Sequence, residues 1–209
     1  MSEEPTEFAT IEIETARLIL RAPSFDDAPV MAALANNAAV ATMTARMPFP
    51  YSPADAEAFV RASEEDRRLG RGIALSILER GNGQFTGCVG LNLTCPEAAE
   101  IGYWVGMPHW GQGIATEAAR ALIDHAFETT RITAVVGSCR VINEASRRVL
   151  EKCGLRYVAS GLASAPARGG ALPVDRFRLS RRDWESFKAW RPATVRDLTR
   201  ELSVAGCCS

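Results

Sequence analysis

Residues 100–118 read EIGYWVGMPHWGQGIATEA, and the other predicted elements are arranged around this stretch. Its first part carries β-branched and aromatic residues at Ile101, Tyr103 and Val105, with smaller residues between most of them, which predicts a strand. The strand is broken from Gly106 onwards, and a glycine-rich turn follows. Apolar residues at helical spacing come next. The stretch therefore predicts a strand, a tight turn and the start of a helix.

The turn between this strand and helix is suited to bind an anion. A helix N-terminus presents backbone N–H groups without partners, and the helix dipole adds partial positive charge. Small side chains let a phosphate approach those donors. The candidate phosphate-binding residues are Gly111, Gln112, Gly113, Ile114, Ala115 and Thr116. For so short a motif, an ordinary turn that needed its glycines is the alternative.

Two other phosphate-binding loops fit less well. The Gly-Lys-Ser/Thr of a Walker A loop is absent, and so are the third glycine and the later ribose-binding acid of a dinucleotide fingerprint. A nucleotide-binding protein remains one class of function, and the missing lysine and metal-binding acids count against it.

The stretch resembles motif A of the GNAT acetyltransferases, Arg/Gln-x-x-Gly-x-Gly/Ala, with Trp110 in place of the family's Arg or Gln. The run WGQGIATEA is similar to the RimJ/RimL-like branch, which acetylates the N-termini of ribosomal proteins. Further matches to that branch follow in the expected order, at residues 15–21, 131–132, 143–146, 151–155 and 181–184. The resemblance covers roughly residues 15 to 190.

The element order predicts one α/β domain with a mixed sheet. The resemblance implies a GNAT-type domain, with a mostly antiparallel sheet flanked by helices and splayed between its fourth and fifth strands. Acyl-coenzyme A enters that split in the family. We expect a loose leader at residues 1–10, the domain at 11–190 and a polar tail at 191–209. Within the domain, residues 161–173 are predicted to be a mobile Gly/Ala/Pro loop, and a passive hairpin loop is the alternative.

Acetyl transfer from a thioester to an amine needs a base for the amine and a hydrogen-bond donor for the carbonyl oxygen. Glu100, at the start of the strand before the phosphate loop, is the candidate base. A base acting through water, a solvated carboxylate at Glu100, and Glu97 as a weaker substitute are the alternatives. The candidate donors are backbone N–H groups at Tyr103, Trp104 and Val105, which are assigned to cofactor binding.

The leaving sulfur needs a donor as well. Most GNATs use a tyrosine in a later helix, where this chain has Leu150. The resemblance implies instead that Asn143 holds the pantetheine arm and that Ser146 protonates sulfur. A plain helix cap and a first-turn polar residue are the respective alternatives. Neither Cys139 nor Cys153 has a histidine at a suggestive spacing, which favours direct attack in a ternary complex over a covalent route.

Composition limits the other classes of function. The chain has 209 residues, 47% hydrophobic and 23% charged, which suits one globular domain. A net charge of -1 gives no basic field for nucleic acid. Two distant histidines argue against a zinc site, and no run of about 18 apolar residues predicts a membrane span. Six cysteines without a C-x-x-C pair suggest reduced thiols and the cytoplasm.

The resemblance implies an enzyme that transfers an acetyl group from acetyl-CoA, its co-substrate, to a primary amine, with no metal. The acceptor is a peptide N-terminus or a small-molecule amine, and the enzyme is a monomer or a homodimer. We expect residues 38–51, rich in Met, aromatic residues and Pro, to line the acceptor site together with residues 161–173. A non-catalytic acyl-CoA-binding or regulatory module is the alternative, and the presence of both Glu100 and Ser146 favours an enzyme.

Overall fold

The computed structural model describes residues 11–189, so the leader at 1–10 and the tail at 191–209 lie outside the described residues. These residues contain eight strands, β1 (Glu12–Glu14), β2 (Leu18–Arg21), β3 (Gly72–Glu79), β4 (Phe85–Cys95), β5 (Ala98–Val105), β6 (Ala134–Arg140), β7 (Arg156–Ala165) and β8 (Gly170–Ser180). Six helices accompany them, α1 (Ala28–Ala35), α2 (Ala38–Thr42), α3 (Pro53–Arg68), α4 (Ile114–Thr129), α5 (Glu144–Lys152) and α6 (Arg181–Ala189). Over the described range, no helix is long and apolar enough to cross a membrane.

The eight strands form one sheet in the order β1-β2-β3-β4-β5-β6-β8-β7. Every neighbouring pair is antiparallel except β5 and β6, which are parallel. The parallel ladder joins only residues 98–100 to residues 134–136. Beyond that point β5 stays paired with β4, and β6 stays paired with β8 as far as Arg140. The predicted mixed sheet, splayed between the fourth and fifth predicted strands, is confirmed, and these strands are β5 and β6.

Helices cover both faces of the sheet. The larger core lies beneath α4, α5 and α6, which contribute Leu122, Phe127, Leu150 and Trp184. The smaller core lies on the other face, where α1 and α3 pack Met31 and Ala56 against β4. Side chains alternate between these two faces along each strand, so β5 directs odd-numbered residues to the larger core.

Several helix boundaries coincide with capping residues in the sequence. Ser52 caps α3 by accepting a hydrogen bond from the Asp55 N–H, and Pro53 is its first residue. Asn143 caps α5 in the same way, and Gly154 follows its end with a positive φ of 89°. Polar capping signals of this kind are local, so they can be read directly from the sequence.

The prediction of a mobile loop at residues 161–173 is wrong. These residues form the ends of β7 and β8, joined by one 3-10 turn at Pro166–Arg168, and the two strands pair as far as Ala165 and Gly170. The segment is poor in β-branched residues and rich in Gly and Ala, which lowers its strand propensity. Backbone pairing across the hairpin overrides that propensity, so the segment is an ordered hairpin tip.

Residues 38–51 are only partly irregular. They begin with the short helix α2, which we did not predict because prolines later in the segment argue against a helix there. Asn37 caps α2 by accepting a hydrogen bond from the Ala39 N–H at 2.9 Å. The remainder, from 43 to 51, contains no helix or strand.

A network of hydrogen bonds surrounds the buried carboxylate of Asp27, just before helix α1. The Asp27 side chain, 5% exposed, accepts two hydrogen bonds from the Arg21 guanidinium at 2.8 Å and further ones from the Ser24 N–H and the Ser76 hydroxyl. Burial alone raises the pKa of the Asp27 carboxyl, but these hydrogen bonds outweigh burial and hold the pKa below its usual value. The network ties β2, α1 and β3 together.

We predict that Asp27→Asn lowers the free energy of unfolding at pH 7 by about 3 kcal/mol, because it leaves Arg21 without its buried partner. The native carboxyl has the lower pKa, so its stabilisation is present above the unfolded pKa of about 3.9 and is lost as the pH falls through the folded pKa. The difference between the two proteins should therefore shrink in acid. Urea denaturation between pH 3 and 7 measures it, with the neighbouring exposed Asp26→Asn as the control. Equal stability at pH 7 would contradict the role of the network.

Candidate active site

The glycine-rich turn leaves its backbone open to a ligand. Gly111 and Gly113 have φ of 76° and 78°, in the left-handed region that favours glycine, and Gly113 is the N-cap of α4. A Cβ at Gly111 would meet nothing within 4 Å, and one at Gly113 only the end of the Arg17 side chain at 3.5 Å. The free N–H groups at the start of α4 are therefore accessible, as an anion site requires.

Two interactions hold this turn in place. The Arg17 guanidinium donates to the Gln112 carbonyl at 2.9 Å and to the Glu117 carboxylate at 2.7 Å. Burial raises the pKa of Glu117, but the hydrogen bonds from Thr15 and Arg17 outweigh burial and hold the pKa below its usual value. The carboxylate therefore stays ionised. On the other side of the turn, the indole N–H of Trp110 donates to the Val105 carbonyl at 2.6 Å. The residue that departs from the family motif thus closes the turn onto the end of β5.

The backbone of β5 presents donors to the gap between β5 and β6. The Gly106 N–H donates to the Thr86 carbonyl, just beyond the end of the β4–β5 ladder. Because the direction of N–H groups alternates along a strand, those of Tyr103 and Val105 point away from β4 and into the gap. The N–H of Trp104 points towards β4, and its side chain packs against the smaller core.

Glu100 stands where the two strands part. It belongs to the last parallel pair, opposite Val136, and its carboxylate accepts a hydrogen bond from the Ser138 hydroxyl at 2.9 Å. Ala99 and Ile101, its neighbours in the chain, lie in the larger core. Strand alternation therefore directs Glu100 to the opposite face of the sheet, next to the mouth of the gap.

Asn143 and Ser146 lie on the other face, at the start of α5. The Asn143 side chain accepts a hydrogen bond from the Ser146 N–H at 3.0 Å, which makes it the helix cap. The Ser146 hydroxyl is 2.9 Å from the Tyr103 hydroxyl, and Tyr103 packs against the larger core. Leu150, at the family's tyrosine position, is 2% exposed and belongs to that core. Its side chain has no polar atom to offer a sulfur.

The gap thus has different chemistry on its two faces. One face offers the Glu100 carboxylate, and the other offers the Tyr103 and Ser146 hydroxyls together with the glycine-rich turn before α4. Between them lie the backbone N–H groups of β5. A molecule that enters from the α4 and α5 face can therefore meet, inside the gap, a second molecule that enters from the Glu100 face.

The cysteines near the gap are poor nucleophiles. Burial raises the pKa of the Cys153 thiol to about 11, and it also raises that of Cys139, where Asp175 adds to the effect. Both thiols remain protonated at neutral pH, whereas nucleophilic attack needs the thiolate. The imidazole of His109, the histidine nearest the turn, is buried and lies 3.7 Å from Glu79.

Residues 38–51 cover the face of the gap on which Glu100 lies. The Asn37 amide donates to the Met107 sulfur at 3.7 Å, just after β5, and the Arg140 guanidinium donates to the Thr42 carbonyl at 2.7 Å, at the end of β6. Helix α2 therefore bridges the two sides of the gap. Arg168, at the β7–β8 hairpin tip, donates to the carbonyls of Ala41, Thr44 and Met47.

Sequence reasoning missed four side chains around the gap. Ser138, Arg140 and Arg168 were not singled out, and Tyr103 was assigned only a backbone role. The alternation of Ser138 and Arg140 with the buried Cys139 is a readable signal that both lie on one face of β6. No local signal marks Arg168, whose partners are more than 120 residues away in the chain.

The chain is similar to known acetyltransferases. An N-acetyltransferase of Bacillus licheniformis, p20, is 28% identical over 174 residues, which is 81% of this chain and 96% of that protein. The ribosomal-protein-serine acetyltransferase of Escherichia coli K12 is 32% identical over 106 residues, which is 46% of this chain and 59% of that enzyme. The chain spans only 43% to 59% of the length of four of the curated relatives that it matches.

Solved structures give the same fold. A microcin C7 self-immunity acetyltransferase in complex with acetyl-CoA and AMP superposes with a TM-score of 0.71 at 22% identity, covering 79% of this chain and 93% of that one. Within residues 11–189, no three His, Cys, Asp or Glu side chains are grouped so that they could hold a metal ion.

The family model of the acetyltransferase (GNAT) domain matches residues 17–156, about two thirds of the chain. This range includes β5, the turn before α4, and α5, which together border the gap. Members of the family transfer an acetyl group from acetyl-CoA to an amine. The chain belongs to the GNAT acetyltransferase family.

Proposed function

We propose that this protein transfers the acetyl group of acetyl-CoA to the primary amine of a peptide N-terminus or a small molecule, by direct attack in a ternary complex. One observation carries the proposal. The gap between β5 and β6 has a carboxylate, Glu100, on one face and a pair of hydroxyls, Tyr103 and Ser146, on the other. Acyl transfer needs a base beside the amine and a donor beside the leaving sulfur.

The coenzyme lies on the α4 and α5 face in this proposal. Its pyrophosphate accepts hydrogen bonds from the N–H groups of the turn, from Gln112 to Thr116, where the dipole of the 16-residue helix α4 favours negative charge. The Asn143 side chain uses its oxygen to cap α5, which leaves its amide NH₂ to donate to the pantetheine arm. The thioester then reaches the gap beside Ser146.

The reaction proceeds by one attack. Glu100 takes a proton from the acceptor amine, directly or through water, and the nitrogen lone pair attacks the thioester carbon. Negative charge develops on the carbonyl oxygen, which the N–H of Tyr103 or Val105 stabilises. The C–S bond breaks, and its electron pair leaves with sulfur, to which the Ser146 hydroxyl donates. The need for that donor is modest because a thiol has a pKa of about 8.5.

The acceptor enters from the Glu100 face, between residues 38–51 and the β7–β8 hairpin tip. The Arg140 Nε is buried there and has no hydrogen-bond partner among the described residues. A free donor suits an acceptor that carries an oxygen close to its amine, as a peptide N-terminus does. We place the reaction in the cytoplasm, where thiols stay reduced, since the four described cysteines are all free.

A screen of amines and N-terminal peptides for thiol release from acetyl-CoA tests this function. We expect release that rises in proportion to enzyme concentration with at least one acceptor, and mass spectrometry should find one acetyl group on the acceptor amine. If acetyl-CoA binds but no acceptor releases thiol, the protein is instead a non-catalytic acyl-CoA-binding module.

We predict that Gly113→Glu weakens acetyl-CoA binding by about tenfold or more, as measured by calorimetry. The substitution forces a side chain onto a backbone with φ of 78° and adds negative charge where the pyrophosphate binds. Gly169→Glu is the matched control, because Gly169 has a similar φ of 74° but lies at the hairpin tip. Unchanged affinity in folded Gly113→Glu would reject this phosphate site.

We also predict that Met43→Ala and Phe49→Ala each raise the acceptor KM by about fivefold, with little change in the KM for acetyl-CoA. Phe49 is 50% exposed in the segment that roofs the Glu100 face, so its ring is available to an acceptor. Leu69→Ala, at a similarly exposed apolar residue after α3, is the control. If neither substitution alters kcat/KM for any acceptor, the acceptor enters elsewhere.

A further inference from the structure

Two hydroxyl groups form a pair at the coenzyme side of the gap. The Tyr103 hydroxyl donates to the Ser146 backbone carbonyl at 3.1 Å, and it lies 2.9 Å from the Ser146 hydroxyl. The contact joins the middle of β5 to the first turn of α5, 43 residues apart in the chain. Both side chains are partly buried, so little water competes for these hydrogen bonds.

Counting protons limits what this pair can do. A tyrosine has one O–H, which cannot donate fully to the Ser146 carbonyl and to its hydroxyl at once. While Tyr103 donates to the carbonyl, the Ser146 hydroxyl donates to the tyrosine oxygen. When Tyr103 instead turns its O–H to the Ser146 oxygen, the Ser146 O–H no longer donates to Tyr103 and can donate a hydrogen bond to another acceptor. The change rotates two O–H bonds and moves no heavier atom.

We propose that Tyr103 is a positioning residue for acetyl transfer. By donating a hydrogen bond to the Ser146 hydroxyl, Tyr103 directs the O–H of Ser146 towards the leaving sulfur. This inference rests on the proposed function. As the C–S bond breaks and its electron pair moves to sulfur, the thiolate becomes the strongest acceptor nearby. Ser146 then donates a hydrogen bond to sulfur and Tyr103 donates one to Ser146, and both hydroxyls keep their protons. Coenzyme A leaves as the thiolate, while the amine proton goes to Glu100 and from there to solvent.

The surroundings keep Tyr103 in the donor state. Burial raises the pKa of its hydroxyl well above the usual value of about 10, and the hydrogen bond with Ser146 offsets only part of this rise. Tyr103 therefore remains protonated through the reaction and acts only as a hydrogen-bond donor to Ser146. The Tyr103 hydroxyl also gives α5 a polar contact, whereas Leu150 in the same helix has no polar atom.

Comparing Tyr103→Phe, Ser146→Ala and the double variant tests this role. We expect each single substitution to lower kcat by about tenfold under conditions where chemistry limits the rate, with the KM for acetyl-CoA changed by less than about twofold. The double variant should be no slower than Ser146→Ala, because Tyr103 acts only through Ser146. Tyr157→Phe is the matched control, since the Tyr157 hydroxyl also lies 2.9 Å from a serine, Ser160, but on the edge strand β7.

Several results would overturn the inference. Full kcat in Tyr103→Phe, in a protein where Ser146→Ala is slow, would show that Tyr103 does not position Ser146. Losses that multiply in the double variant would show independent roles, and a change confined to the acetyl-CoA KM would show a binding role. Each of these leaves the proposed acetyl transfer intact, whereas a wild-type protein that turns over no acceptor would overturn both.

Discussion

The parting of β5 from β6 after Glu100 and Val136 is the constraint on which the rest of the structure depends. Each strand keeps its outer partner, β4 or β8, and loses its inner one. Among the inner backbone groups of β5 beyond residue 100, the Val105 carbonyl is paired with the Trp110 indole. The others are left to find partners outside the sheet, which interior backbone groups require. A pantetheine arm carries amides that can pair with them, which supports the proposal that the coenzyme binds in the gap.

In the proposed reaction, the sheet also separates the two substrates. The coenzyme is proposed to bind on the face of α4 and α5, where a bare turn and a capped helix offer N–H donors and hydroxyls. The amine is proposed to enter from the opposite face, beneath α2 and next to the hairpin tip. Because the two entrances lie on different faces, both substrates can be bound at once. Direct attack needs this arrangement, and the raised pKa of the Cys139 and Cys153 thiols disfavours a covalent alternative.

The features that could be predicted from the sequence are those with local signals. Alternation along β5, glycines in the turn and the cap at Asn143 are all set within a few residues, and the order of elements then predicts the mixed sheet. At 161–173 a hairpin was only the alternative to a mobile loop, because the strand pairing overrides a composition that favours loops. The Tyr103 hydroxyl was missed for a related reason. Its partner Ser146 is distant in sequence, and an aromatic residue in a strand is ordinarily part of the core.

A crystal structure of the complex with acetyl-CoA tests the central claim most directly. The account predicts that the thioester lies in the gap between β5 and β6, with its carbonyl oxygen within about 3.2 Å of the Tyr103 or Val105 N–H. It also predicts that the sulfur lies beside Ser146 and that the carbonyl carbon is open to the Glu100 face. A thioester bound outside the gap, or one whose carbonyl carbon is shielded from Glu100, would contradict the account.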